Sequence, residues 1–142
     1  MTYATQTTMI TRYGEREVIA LTDREDLGII DDAVLQSALA EADAEIDPYL
    51  LAARYALPLT KVPLILDSFA CDITRYRLCG AGVTETDEVR NRYRDAVQFL
   101  EKVAAGKISL GLDVAGTAPA QSAPVQVSAR SRVFTRDTLK DY

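Results

Sequence analysis

From residue 32 to about 55 the apolar positions Val34, Leu35, Ala38, Leu39, Ala42, Ile46, Tyr49, Leu50 and Ala53 recur at steps of three and four. That period lays one apolar stripe along a helix. Glu41, Asp43, Glu45 and Asp47 are expected to stay off the stripe. Pro48 sits inside the pattern and has no backbone N–H to donate, which predicts a kink or a break there. Two more stripes follow. Leu66, Phe69, Ala70, Ile73 and Tyr76 mark a helix over residues 63 to about 78, with Pro63 suited to its first turn. Val89, Tyr93, Ala96, Val97, Leu100 and Val103 mark another, capped by Thr84, running to about residue 105 and stopped by Gly106.

Two shorter helices precede these. Thr5 is placed as the N-cap of a helix over roughly residues 6 to 13, and Gly14 stands where a left-handed residue ends it. A second, about 15 to 21, carries Val18, Ile19 and Leu21. The acidic loop 22 to 28 then leads to an N-cap at Asp31. A calcium loop begun at Asp23 would have Gly28 in place, but Leu27 stands at a ligand position and Val34 where the bidentate glutamate belongs. The loop therefore reads as a solvated turn. Pro58 and Pro63 hold residues 57 to 63 as an extended corner.

Past Gly106 the period changes. Residues 108 to 112 alternate apolar and small, as in a short strand, and residues 113 to 132 are rich in Ala, Pro, Ser, Gln and Val with no helical period. Thr135 is placed to cap a last turn over residues 136 to 141, with Phe134 and Leu139 spaced as a hydrophobic staple. The expected fold is all-α: a bundle of four to five helices over residues 1–111 with a short strand-like segment, then an extended C-terminal arm over residues 112–142.

Composition narrows the function. The chain has 142 residues, 48% hydrophobic and 26% charged, enough for one domain with a core of its own. No run of about 18 apolar residues implies a membrane span, and the polar, uncharged N-terminus is unlike a signal peptide. The net charge of −5 argues against a free-standing DNA binder. It divides unevenly, because residues 1–111 hold 12 basic and 18 acidic side chains and the remainder 4 and 3.

Histidine is absent, which removes imidazole acid–base chemistry, the usual triads and most zinc sites. Cys71 and Cys79 lie eight apart, about 12 Å along a helix axis at 1.5 Å per residue, too far for a disulfide. They read as buried small hydrophobes, and free thiols fit an intracellular origin. Arg75, Arg77, Arg90, Arg92 and Arg94 are interleaved with Asp72, Asp87, Glu88 and Asp95, so ion pairs account for them better than nucleic-acid contacts. Asp43 with Asp47, or Asp67 with Asp72, are the carboxylate pairs on which acid–base catalysis would have to rest. No glycine-rich phosphate loop, metal set or cofactor motif is present.

Several short stretches stand in a characteristic order: Tyr3-Ala4-Thr5; Arg12-Tyr13-Gly14-Glu15; Leu21-Thr22-Asp23-Arg24; Asp31-Asp32-Ala33-Val34-Leu35; Ala42-Asp43-Ala44-Glu45-Ile46-Asp47. Arg54-Tyr55-Ala56-Leu57-Pro58-Leu59, Val62-Pro63, Ala70-Cys71-Asp72-Ile73, Arg75-Tyr76 and Phe134-Thr135-Arg136-Asp137 continue it. In this the chain resembles the head–tail connector (adaptor) proteins of Mu-like bacteriophages and prophages over nearly its whole length, with Pro48 as a departure. The resemblance implies a virion neck protein, assembled in the host bacterial cytoplasm. About a dozen copies would form a ring beneath the portal protein, extend the DNA channel and meet the next connector or tail-completion protein. It implies neither cofactor nor membrane partner.

On that reading Arg130, Arg132, Val133, Phe134, Arg136, Leu139 and Tyr142 are the expected portal-binding arm. Glu41 and Glu45 on one helix, with Arg90, Arg92 and Arg94 on another, are the expected subunit interface. Asp23, Glu25, Asp26, Asp43 and Asp47 are the expected channel-facing acids. The competing readings are a small cytosolic helical enzyme using carboxylates and a helical protein-binding regulator.

Overall fold

The computed structural model describes residues 2–79 and 85–112. Among these residues there are five helices: α1 (Gln6–Tyr13), α2 (Glu15–Thr22), α3 (Asp32–Ala52), α4 (Leu64–Leu78) and α5 (Asp87–Ala104). Among the described residues there is no strand, and no helix is long and apolar enough to cross a membrane. The protein is all-α.

The caps explain the boundaries. Thr5 Oγ1 accepts from Thr8 N–H while Thr8 Oγ1 accepts from Thr5 N–H, a reciprocal capping box. Gly14, at φ 88°, donates its N–H to Ile10 O and turns the chain into α2 with no further linker. Asp31 Oδ1 accepts from Ala33 and Val34 N–H. The expected cap of α5 is corrected: Thr86, not Thr84, holds Val89 N–H, and the helix starts at Asp87.

Helix α3 is also corrected at two points. It ends at Ala52 rather than near residue 55, and it runs through Pro48 without a break. Pro48 and Ala44 are both exposed. The carbonyl left without a helical donor thus stands on the exposed side of the helix, open to solvent.

Helices α3, α4 and α5 pack on one another, and α1 and α2 lie across α4. Met9, Val18, Leu35, Ile46, Leu50, Leu66, Ile73 and Leu100 are fully buried. Phe69 meets Phe99 with ring centroids 4.8 Å apart, and Tyr76 stacks on Tyr93 at 4.1 Å. These pairs set α4 antiparallel to α5. Ala33, Val34, Ser37, Ala38 and Glu41 line one pocket with Arg77 and Leu78, so the N-terminal half of α3 lies beside the C-terminal end of α4. Consequently α3 and α5 begin at one end of the bundle and finish at the other.

Among the described residues, 108 to 112 form no strand: none of them is paired in a sheet, and Ile108 N–H donates instead to Lys102 O at the end of α5. Their alternation still does its packing job. Ile108, Leu110 and Leu112 lie against the core, while Ser109 and Gly111 face out. The Tyr55 hydroxyl accepts Leu110 N–H at 3.0 Å and fixes the segment beside the end of α3.

Candidate functional site

Two polar clamps fasten the N-terminal segment to the three-helix core. In the first, Tyr3 N–H donates to Asp43 Oδ1 at 3.0 Å and the Tyr3 phenol donates to Asp47 Oδ1 at 2.5 Å. The expectation that Asp43 keeps off the buried face is therefore wrong. Residues 3 and 4 cover that side of α3, and Asp43 is buried beneath them. Burial raises its pKa above the ordinary carboxylate range, against the opposing Tyr3 N–H. Burial and the Asp47 carboxylate likewise raise the Tyr3 phenol.

In the second clamp Asp72 gathers three donors from two other helices. Tyr13 OH donates to Oδ1 at 2.6 Å and Arg12 Nη2 to Oδ2 at 3.0 Å, while Arg92 Nη1 stands 3.8 Å away. Arg12 also donates to Ser68 Oγ and to the Tyr13 phenol oxygen. Arg75 pairs with Glu17 and lays its guanidinium over the Tyr13 ring, 4.8 Å from the centroid. The hub joins α1, α4 and α5.

Neither expected carboxylate pair forms an open acid–base site. Asp43 and Asp47 are bridged by one tyrosine. Asp67 lies near Cys71, whereas Asp72 is held in the hub. Among the described residues no group of three or more Cys, Asp or Glu is arranged to hold a metal ion. Both cysteines are free; Cys71 is buried, and burial pushes its thiol up to about 11, while Cys79 is half-buried.

Much of the expected interface is occupied within the chain. Glu45 accepts from Arg77 at 2.7 Å and from Tyr93 OH at 2.8 Å. Arg90 pairs with Glu85 and Asp87, and Arg92 with Glu88. Glu41 and Arg94 are exposed and form no ion pair among the described residues. Of the expected channel acids, Glu25 and Asp26 are exposed at the tip of the α2–α3 loop. Asp23 instead organises that loop, accepting Leu27 N–H at 3.0 Å and Gly28 N–H at 2.6 Å; these backbone bonds, Leu27's first, hold its pKa low. Asp47 is half-buried against Tyr3. The arm residues Arg130, Arg132, Val133, Phe134, Arg136, Leu139 and Tyr142 lie outside the described residues.

Sequence reasoning missed the hub around Asp72. Its donors come from sixty residues upstream and twenty downstream, and no local spacing announces them. It also passed over the apolar side chains that the bundle leaves in water, Leu27, Ile29, Leu51, Leu64 and Ile65.

Comparison with known proteins adds an independent constraint. A family model described as "Bacteriophage Mu, Gp36" matches residues 3–129. The "Mu-like prophage FluMu protein gp36" of Haemophilus influenzae is 38% identical over 141 residues, which cover 99% of this chain and 97% of that protein. "Gene product J" of Escherichia phage Mu is 39% identical over 138 residues, 96% of each chain.

Proposed function

The chain belongs to the Bacteriophage Mu, Gp36 family, and from that premise we propose that it is a structural head–tail connector subunit. In this reading copies of the chain form a ring beneath the portal protein, in the virion neck. The ring extends the DNA channel and presents a surface to the next connector or tail-completion protein. The observation that carries the reading is the end-to-end similarity to Mu-like phage proteins of the same length. The structure supports it by the use it makes of polar side chains: the buried carboxylates Asp43 and Asp72 fasten helices together.

The parts have distinct tasks. The body, residues 1–111, forms the ring wall. Its acidic surplus repels a passing polyanion weakly and so keeps DNA from sticking, whereas lysine and arginine contacts to phosphate would hold it. A ring needs a heterologous contact, one face of each subunit meeting a different face of the next. The arm, residues 112–142, anchors the ring to the portal through Val133, Phe134 and Leu139, with Arg130, Arg132, Arg136 and the Tyr142 carboxylate making charged contacts.

Electron microscopy of particles from a host carrying a nonsense allele of this gene tests the assignment. The expected result is DNA-filled heads and separate tails, joined again when the gene is supplied in trans. Complete tailed particles without the protein would refute it.

A further inference from the structure

All five large hydrophobic side chains exposed among the described residues lie at the two ends of the bundle, and none on its flanks. At the end where α3 begins, the α2–α3 loop holds out Leu27, 64% exposed, and Ile29, 62% exposed. At the other end Leu64 is 84% exposed, with Ile65 and Leu51 beside it. There Lys61, Val62, Pro63, Leu64, Leu110 and Leu112 line a groove of about 560 Å³. The antiparallel α3–α4 hairpin puts these ends about 30 Å apart, the length of a 21-residue helix at 1.5 Å per residue. One body cannot bring them together.

Their charges are opposite. The protruding loop and the start of α3 carry Asp23, Glu25, Asp26, Asp31 and Asp32 against Arg24 alone. The grooved end carries Arg54, Lys61, Lys102 and Lys107 against Asp67 and Glu101. Acids at helix starts and bases at helix ends also suit the helix dipoles. Dipoles do not account for bare leucine and isoleucine at both ends, since each costs free energy in water unless covered.

We propose that the two ends recognise each other between copies of this chain. Leu27 and Ile29 of one copy seat in the Val62–Leu64–Leu110–Leu112 groove of the next, with Glu25 and Asp26 facing Lys61 and Lys107. The contact is heterologous: each copy offers one knob and one groove, so copies add head to tail until the chain of contacts closes. Ring closure rests on the connector reading above; the pairwise contact does not.

The test uses two full-length surface variants, Leu27→Glu, which spoils the knob, and Leu64→Glu, which spoils the groove. It is read beside a cross-linking variant, Leu27→Cys with Leu64→Cys in a Cys79→Ser background. The doubly cysteine-bearing chain, treated with a bifunctional maleimide, should give a ladder of multimers, as the purified protein or in phage particles. Either glutamate substitution added to it should reduce the ladder at least tenfold. Mixed in solution, Leu27→Glu and Leu64→Glu chains should form one-to-one dimers that neither forms alone and that high salt weakens. No ladder in either sample overturns the proposal. So does a dimer from Leu27→Cys alone, which would mean a symmetric contact, or a cross-link between Leu64→Cys and Phe134→Cys within one chain, which would give the groove to the chain's own C-terminal segment. Particles that contain the protein without a ladder refute this contact and leave the connector reading standing. Particles that lack the protein refute the connector reading, while a ladder in the purified sample still supports the contact.

Discussion

Tyr3 and Asp47, 44 residues apart in the chain, meet through a 2.5 Å hydrogen bond from phenol to carboxylate. Three residues beyond Tyr3 the chain enters α1, so this bond and its companion at Asp43 fix where the first helix starts relative to the core. Tyr3→Phe keeps the buried ring and loses the bond. It should cost about 1.5–3 kcal/mol, the range for hydrogen bonds to charged groups. Tyr3→Ala also leaves a cavity, and should cost about 3–5 kcal/mol, as for other buried aromatics. Urea unfolding followed by circular dichroism measures both, and no loss from Tyr3→Phe would mean that the phenol hydroxyl contributes nothing.

Asp43 makes stability depend on pH in the less usual direction. Its folded pKa is raised by burial, so the folded state holds the proton more tightly than the unfolded state. Its contribution is fully present below the ordinary carboxylate pKa of about 4 and is lost as pH rises through the folded value. Asp43→Asn retains an acceptor for Tyr3 N–H and removes the charge. It should match or exceed the wild type at pH 7, with the advantage shrinking toward pH 4. Asp43→Ala leaves the Tyr3 N–H without an acceptor and should cost about 1–3 kcal/mol near pH 4, and less as pH rises through the folded value. Denaturant midpoints across that pH range check the sign.

The hub predicts unequal effects from its members. Asp72→Ala removes the acceptor of both Tyr13 OH and Arg12 and should cost about 1.5–3 kcal/mol. Arg92→Ala loses a longer contact and an exposed pair with Glu88, and should cost about 0–1 kcal/mol. A double-mutant cycle of Arg12→Ala with Asp72→Ala should show positive coupling; strict additivity would mean that the two do not interact.

The thiols should differ in reactivity. Cys71 is buried, with its pKa pushed up to about 11, while Cys79 is only half-buried. The native protein at pH 8 should therefore titrate one fast thiol and the denatured protein two. Cys79→Ser should abolish the fast one.

Ending the chain at Leu112 should leave the helical circular dichroism and the cooperative melt intact, because the buried core and the packed residues Ile108, Leu110 and Leu112 lie before the cut. The same truncation should abolish joining to portal-bearing heads, and Phe134→Ala should do so in part. Unfolding on truncation would make the last thirty residues part of the core instead.

Local chemistry was legible in the sequence. The three- and four-residue period marked α3, α4 and α5, Thr5 and Asp31 declared their caps by side chains that reach only two or three residues, and Gly14 and Gly106 stood where a positive φ was required. The ordered short motifs, from Tyr3-Ala4-Thr5 to Phe134-Thr135-Arg136-Asp137, also carried the family. Partners distant in the chain were not legible. Period alone placed Asp43 among solvated acids, and only the packing of residues 3 and 4 across α3 buried it. Glu45 and Arg92 read as surface charges until α4 and α5 came within reach. Pro48 looked like a helix breaker, yet its orphaned carbonyl faces water and the helix continues. Leu27 and Leu64 looked like ordinary apolar residues, and their exposure at opposite ends of the bundle exists only once the α3–α4 hairpin has closed. Caps and periodicity depend on neighbours a few residues away; burial, charge pairing and exposed ends depend on which helices meet, and that is decided by the assembled core.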